Sequence, residues 1–308
     1  MAHADALNDH RHLTEAFAAS RTRLLGLAYR MLGSRVDAED MVQDAWLRLQ
    51  SADIAELRNP AAWLTTVTTR LCLDRLKSAR VQREVYVGPW LPEPVADADQ
   101  MSPEAATVLA DDLSFALLLT LERLSPAERA AFLLHDVFDT PFPEIATTLQ
   151  RSEAACRQLA SRARKAVRSE RPHRVASDAE HLALLQQFMN AVGSGDVAGL
   201  TALLTSDAVS YSDGGGVRIS ARRPITGPDN IARFHVGVVR KAAGRGVQTA
   251  VRAATLNGRP ALLVYRDGVL DQTLSIDVAD GRIRRVYSVR NPAKHGAIVS
   301  SPVSGAGH

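Results

Sequence analysis

The chain has 308 residues, 46% of them apolar, 23% charged and only 5% aromatic, which excludes wholesale disorder and predicts about two or three packed domains with aliphatic cores. No window approaches 18 consecutive apolar residues, residues 1–11 are polar, and the two lone cysteines, Cys72 and Cys156, cannot make a disulfide framework or a cysteine-based zinc site. A soluble cytoplasmic protein with no cofactor and no metal is expected.

The formal charge of +3 hides an asymmetry. Residues 84–122 hold eight acids and no Lys or Arg, whereas residues 149–174 carry eight Arg or Lys against Glu153 and Glu170. An acidic stretch followed by a basic helical block fits one surface for a polyanion and a spacer that does not compete for it; a solvated, Arg-rich helix is the plainer alternative.

In chain order, the first segment reads as three helices. One spans about Thr14–Leu32 and stops at Gly33-Ser34. The next opens with Asp37 as N-cap and buries Val42, Ala45, Trp46 and Leu49 at helical spacing. The third starts at Asn59-Pro60, a capping Asn with proline at the first helical position, and runs toward Arg80. Gly88-Pro89-Trp90-Leu91-Pro92-Glu93-Pro94 then forbids a helix and predicts an extended linker. A second helical module opens with the capping box Ser125-Pro126-Ala127-Glu128, continues to about Val137, and closes with helices at Phe142–Leu149 and Ser152–Arg168 across a turn at Gln150-Arg151. After Arg171-Pro172 the texture becomes α+β: helices at about Asp178–Val192, Val197–Leu204 and Pro228–Lys241, and strands at 208–211, 248–255, 261–265, 273–278 and 283–289. The turns Asn257-Gly258, Asp267-Gly268 and Asp280-Gly281 predict antiparallel hairpins. The tail from Ala297 is small and polar and is expected to be disordered.

Three surfaces carry functional chemistry. In the Phe142–Leu149 and Ser152–Arg168 pair, Cys156, Leu159, Ala160, Ala163 and Val167 form a buried stripe. Arg151, Ser152, Glu153, Arg157, Gln158, Arg162 and Lys165 are left to face outward, as in a helix-turn-helix whose second helix enters the major groove. Basic helical hairpins also occur as plain bundle elements. In the first module, Asp40, Gln43, Asp44 and Leu47 share the helix side opposite the core, an acidic face with an apolar member that suits a basic partner or is simply solvated. Arg70, Asp74, Arg75, Lys77, Arg80 and Arg83 form a mostly basic helix end near Trp63 and Tyr86. Aromatic platforms in a basic groove suit single-stranded or melting DNA, although Trp63 reads equally well as core.

Taken in order, the stretches Asp37-Ala38-Glu39-Asp40-Met41-Val42-Gln43-Asp44-Ala45-Trp46-Leu47-Arg48, Ala62-Trp63-Leu64-Thr65-Thr66-Val67 and Leu124-Ser125-Pro126-Ala127-Glu128-Arg129 with the helix-turn-helix resemble the extracytoplasmic-function sigma factors of the sigma-70 family. The resemblance implies that residues 13–85 form a region 2-like domain, with Asp40, Gln43, Asp44 and Leu47 toward the clamp coiled coil of the largest polymerase subunit and Arg70, Asp74, Arg75, Lys77 and Arg80 toward −10 DNA. Residues 110–172 would form a region 4-like domain that reads −35 DNA and meets the flap of the second-largest subunit. Arg70 departs from the Asn common near the −10 recognition loop.

The remainder is similar to the subgroup with a fused SnoaL-like domain, over residues 178–295 behind a linker at 86–109. The markers are Trp90-Leu91-Pro92-Glu93-Pro94, Asp213-Gly214-Gly215-Gly216 and Asn291-Pro292 with Ala293-Lys294-His295. Val217, Ala293 and His295 depart from the subgroup pattern. The resemblance implies two all-α modules followed by an α+β cone that tunes promoter recognition and has room for a small ligand. Two other readings stay open: a repressor with a ligand-sensing extension, and an enzyme in which Tyr211, Asp213 and His235 supply acid-base groups.

Overall fold

A computed structural model describes residues 2–52, 57, 59–96, 113–170 and 176–299, with side chains for all of these except 2–10, 79–84, 297 and 299. The Arg80 and Arg83 side chains, linker residues 97–109 and tail residues 300–308 therefore lie outside the described residues. The chain divides into two compact units. One holds residues 1–82, 98–113 and 117–169; the other holds 83–97, 114–116 and 170–308.

The first unit is helical. Helix α1 (Ala2–Leu32) ends at Gly33, whose φ of 68° needs a residue without Cβ. Helix α2 (Arg35–Gln50) begins one turn earlier than the acid pattern predicts. Its N-cap is Ser34, whose hydroxyl accepts from the Asp37 N–H, so Asp37 sits in the first turn and acts on the helix dipole instead. Ala38, Val42, Ala45 and Leu49 are buried against α1, and Trp46, only half-buried, stacks on Phe17 at 4.7 Å. Helix α3 (Pro60–Glu84) is capped by Asn59 as expected, its Oδ1 accepting from Ala62 N–H at 3.1 Å.

Helix α4 (Phe115–Glu122) leads to α5 (Pro126–Phe132), where Ser125 and Glu128 form the reciprocal capping box read from the sequence. The helix expected to run on to Val137 widens into a π-helical turn at Leu133–Val137. Helices α6 (Phe142–Leu149) and α7 (Glu153–Glu170) follow, joined through Gln150 at φ 53°.

The second unit is α+β. Helices α8 (Asp178–Ser194) and α9 (Val197–Leu203) precede strands β1 (Leu204–Asp213) and β2 (Ile225–Thr226). Helix α10 (Pro228–Ala243) is followed by β3 (Thr249–Leu256), β4 (Arg259–Arg266), β5 (Val269–Ala279) and β6 (Arg282–Val289). A 3₁₀ turn at Pro292–Lys294 and α11 (Gly296–Val299) close it. The sheet order is β2-β1-β6-β5-β4-β3.

The β3–β4, β4–β5 and β5–β6 turns place Asn257-Gly258, Asp267-Gly268 and Asp280-Gly281 at paired positive φ, the two-residue hairpin geometry that those dipeptides favour. One expectation is corrected: the sheet is not wholly antiparallel, because β1 runs parallel to β6, closed by the long crossover through α10. Leu185, Phe188, Ile231, Val236, Leu274, Ile276 and Val286 bury one sheet face under α8 and α10.

Candidate nucleic-acid interface and regulatory cluster

The helix-turn-helix forms because Gln150 adopts the left-handed conformation and both its N–H and that of Arg151 return to the Ala146 carbonyl, closing α6 within one residue. Ser152 then caps α7, its hydroxyl accepting from Ala155 N–H at 3.2 Å. All five members of the predicted stripe are buried. Arg151, Ser152, Arg157, Gln158, Arg162 and Lys165 are exposed and Glu153 is half-buried, so the residues proposed for −35 DNA share one face. Two are held in place: Arg157 bonds Glu153 at 2.8 Å and lies over the Phe142 ring, and Arg162 pairs with Glu128 at 2.9 Å. Arg164, basic but not among them, makes a bidentate pair with Asp136 and ties α7 to its own domain.

On α2, Asp40, Gln43, Asp44 and Leu47 are all exposed, Leu47 at 53%. Val36, 56% exposed one turn before Asp40, extends this face and was not singled out from the sequence, where a single valine near a helix start carries no signal. An acidic centre flanked by two exposed aliphatic side chains suits a basic, partly apolar helix.

On α3 the expected basic group separates. Arg70, Asp74 and Lys77 are exposed, with Lys77 paired to Asp74 at 2.7 Å. Arg75 is turned into its own domain, where it holds Asp37 at 2.6 Å. Arg70 donates to Thr148 O at 3.1 Å and Thr147 O at 2.9 Å, the last carbonyls of α6. These residues line a cleft of about 710 Å³ with Ser125, Gln150, Arg151 and Arg162.

The three markers of the C-terminal half converge within the second unit. The Asp213 carboxylate at the end of β1 is fully buried and takes four donors: Tyr86 Oη at 2.6 Å, Leu91 N–H at 2.9 Å, Gly215 N–H at 3.0 Å and Lys294 Nζ at 2.7 Å. Lys294 also donates to Leu91 O and lies over the rings of Trp90 at 4.2 Å and Tyr86 at 5.3 Å. Asn291 donates to Tyr86 Oη at 2.9 Å. Burial, then the bond to Asp213, pushes the Tyr86 phenol up, so it stays a donor.

The linker's other end is clamped by Asn257, which donates from its N–H to Val95 O and accepts from Val95 N–H. Leu91, Pro92, Glu93, Pro94 and Val95 are all buried. Tyr86, read from the sequence as a platform for DNA, is part of this cluster, and Lys294 was noted only as part of a motif. Neither residue type signals an interior ion pair until the fold brings positions 86, 213 and 294 together.

The glycines are explained by space. A Cβ on Gly215, at φ 62°, would sit 2.4 Å from Asn291 Nδ2, and one on Gly214 would sit 2.2 Å from Arg218 O. Val217 and Ala293 are exposed, so these departures fall at the surface; His295 is buried and bonds Val289 O through Nε2 at 3.0 Å. The acid-base candidates do not converge. His235 bonds Ser210 at 3.1 Å, whereas Tyr211, next on β1, points to the other sheet face and stacks on Tyr287.

Comparison with known proteins agrees with this arrangement. Residues 16–81 match the model for sigma-70 region 2 and residues 114–167 that for sigma-70 region 4. The ECF RNA polymerase sigma factor SigJ of Mycobacterium tuberculosis is 42% identical over 90% of this chain and 91% of its own length. The probable ECF RNA polymerase sigma factor SigI of the same species is 32% identical over 93% and 96%. The crystal structure of SigJ superposes with a TM-score of 0.71 at 37% identity, covering 92% of this chain and 98% of the other. Among the described residues no helix is long and apolar enough to cross a membrane. The chain belongs to the extracytoplasmic-function sigma factors of the sigma-70 family, subunits that bind RNA polymerase core and direct it to promoters, and it carries a C-terminal SnoaL-like domain.

Proposed function

We propose that this sigma factor reads the −35 element through Arg151, Ser152, Glu153, Arg157, Gln158, Arg162 and Lys165, and the −10 element through Arg70, Asp74, Lys77 and Arg80. Arg75 serves there by bracing α3 on Asp37. Asp40, Gln43, Asp44 and Leu47, with Val36, receive the clamp coiled coil of the largest polymerase subunit, and the region 4 domain meets the flap of the second-largest. The protein acts in the cytoplasm.

The SnoaL-like unit acts in cis and without catalysis, by holding the linker between the two sigma domains. The observation that carries this reading is the buried Asp213 carboxylate, bonded at once to the linker through Tyr86 and Leu91 and to the domain's end through Lys294. Four donors on one fully buried carboxylate fix the linker's path and use up the acid's capacity for proton transfer. The splitting of His235 and Tyr211 between sheet faces further supports a non-catalytic domain.

Run-off transcription with purified core polymerase tests this, comparing the full chain, Lys294→Met and a chain truncated after Ala176. Both variants are expected to change promoter output severalfold while retaining −35-dependent binding. Output equal to that of the full chain at every concentration of sigma factor would overturn regulation in cis.

A further inference from the structure

The described part of the first unit holds the candidate −10 and −35 groups in one place. Arg70 on α3 reaches across to α6 and donates through Nε to Thr148 O and through Nη2 to Thr147 O. The last carbonyls of a helix have no partner of their own and carry the negative end of its dipole, so a guanidinium there makes two charge-assisted bonds. One turn earlier on α3, Thr66 Oγ1 lies 3.0 Å from Thr148 Oγ1. The cleft beneath is lined from one side by Arg70, Asp74 and Lys77 and from the other by Gln150, Arg151 and Arg162. Within it Lys77 is paired to Asp74 and Arg162 to Glu128, so much of its positive charge is already answered.

Geometry decides what this arrangement can do. Promoter elements centred near −10 and −35 lie about 25 base pairs apart, roughly 85 Å of duplex at about 3.4 Å per pair. Groups that touch across α3 and α6 cannot serve both elements at once. Promoter engagement therefore has to part Arg70 from Thr147 and Thr148.

We propose that the Arg70–Thr147/Thr148 contact, with Thr66 beside it, is an autoinhibitory latch that closes the region 2 domain on the helix-turn-helix and masks Arg70 until polymerase and promoter open it. This rests on the assignment of Arg70 and of the α7 face to DNA made above. Replacing Arg70 would remove latch and DNA contact together, so the test uses the threonines, which are not among the proposed DNA ligands. Cysteines at 66 and 148 (T66C and T148C) place two thiols where two hydroxyls already touch, and the native Cys72 and Cys156 are buried and can stay.

In the free double variant, mild oxidation is expected to join the two cysteines in most molecules. The oxidised protein should lose at least about tenfold in run-off transcription with core polymerase, and reductant should restore it. Prior assembly of the reduced protein with core and promoter DNA should slow the cross-link by a similar factor. Absence of the cross-link in the free chain, equal transcription by oxidised and reduced protein, or a cross-linking rate unmoved by assembly would each overturn the latch. The DNA assignment fails separately: it would show as Arg70→Ala and Arg151→Ala binding promoter DNA as the wild type does, whatever the cross-link yield.

Discussion

Asp213 and Lys294, 81 residues apart, meet at 2.7 Å with the carboxylate fully buried and the lysine side chain 12% exposed. A buried pair of this kind holds only while every lone pair and proton is satisfied, and here the linker supplies the missing partners through Tyr86 and Leu91. The pair therefore makes the linker an interior segment of the SnoaL-like unit.

Lys294→Met tests that dependence. The methionine keeps the stem packed near Trp90 but leaves Asp213 charged and short of its cation. Breaking one side of a buried pair costs about 3–5 kcal/mol. Calorimetry should show the loss in the unfolding of the second unit, and limited proteolysis should begin to cut near residues 91–95, which are buried in the wild type. Unchanged protection of the linker would refute the role given to this lysine.

Charge reversal at Asp40 and Asp44 should separate binding from stability. Both are exposed on α2 opposite the buried stripe, so Asp40→Lys with Asp44→Lys should change folding free energy by only about 0.5 kcal/mol. Co-purification with core polymerase should nonetheless fall sharply. Leu47→Ala and Val36→Ala should each weaken the same binding by a smaller factor.

On α7, Arg157→Ala and Arg162→Ala should each cost about 1–3 kcal/mol in −35 binding if they read bases, relaxing specificity at one position. A residue that only holds phosphate would lower affinity for all sequences and flatten the salt dependence by about one unit. Arg162 has to leave Glu128 first, so Glu128→Gln is expected to strengthen DNA binding slightly while weakening the α5 cap. Binding isotherms on matched and scrambled −35 duplexes at several salt concentrations separate these outcomes.

Much of this molecule was legible in its sequence, and the gaps have physical causes. The α7 stripe and the Ser125 and Asn59 caps depend on contacts within four residues, and periodicity and capping chemistry report such contacts directly. The α2 start was misplaced because Asp37 and Ser34 are both good caps and only backbone geometry shows that Ser34 takes the role. The parallel β1–β6 pair was missed because hairpin turns announce antiparallel neighbours, while a pairing closed through α10 leaves no local mark. Arg70, Arg75, Lys77 and Arg80 read as one basic group, yet Arg75 finds Asp37 and Arg70 finds α6, partners 38 and 78 residues away.

Acid should weaken the second unit through its buried histidines. Burial, reinforced by Arg259 and opposed by Asp178, brings His181 down to about 4, and burial alone brings His235 to about the same value. Between about pH 6.5 and 4 the unfolded chain binds protons that the folded one refuses, so stability is fully present above pH 6.5 and falls as pH drops through that window. The loss is roughly 3 kcal/mol at most for His181, which is 5% exposed. His181→Gln should flatten the acid limb of a plot of unfolding free energy against pH.

The glycine triplet offers a matched pair of substitutions that separates backbone strain from packing. Gly215 and Gly258 have similar positive φ, 62° and 72°, so alanine at either incurs the same left-handed penalty of about 1 kcal/mol. At Gly258 the new methyl meets open space, and the cost should stop there. At Gly215 it would lie 2.4–2.8 Å from the amide of Asn291, the group that donates to Tyr86 Oη. Asn291 is 8% exposed and its Oδ1 also accepts from Ala293 N–H, so it cannot swing aside without giving up both bonds. Gly215→Ala should therefore destabilise the second unit by several kcal/mol, release Tyr86 and expose the linker to protease, whereas Gly258→Ala leaves the linker protected. Equal losses at the two positions would mean that the triplet serves only the turn and plays no part in holding the linker.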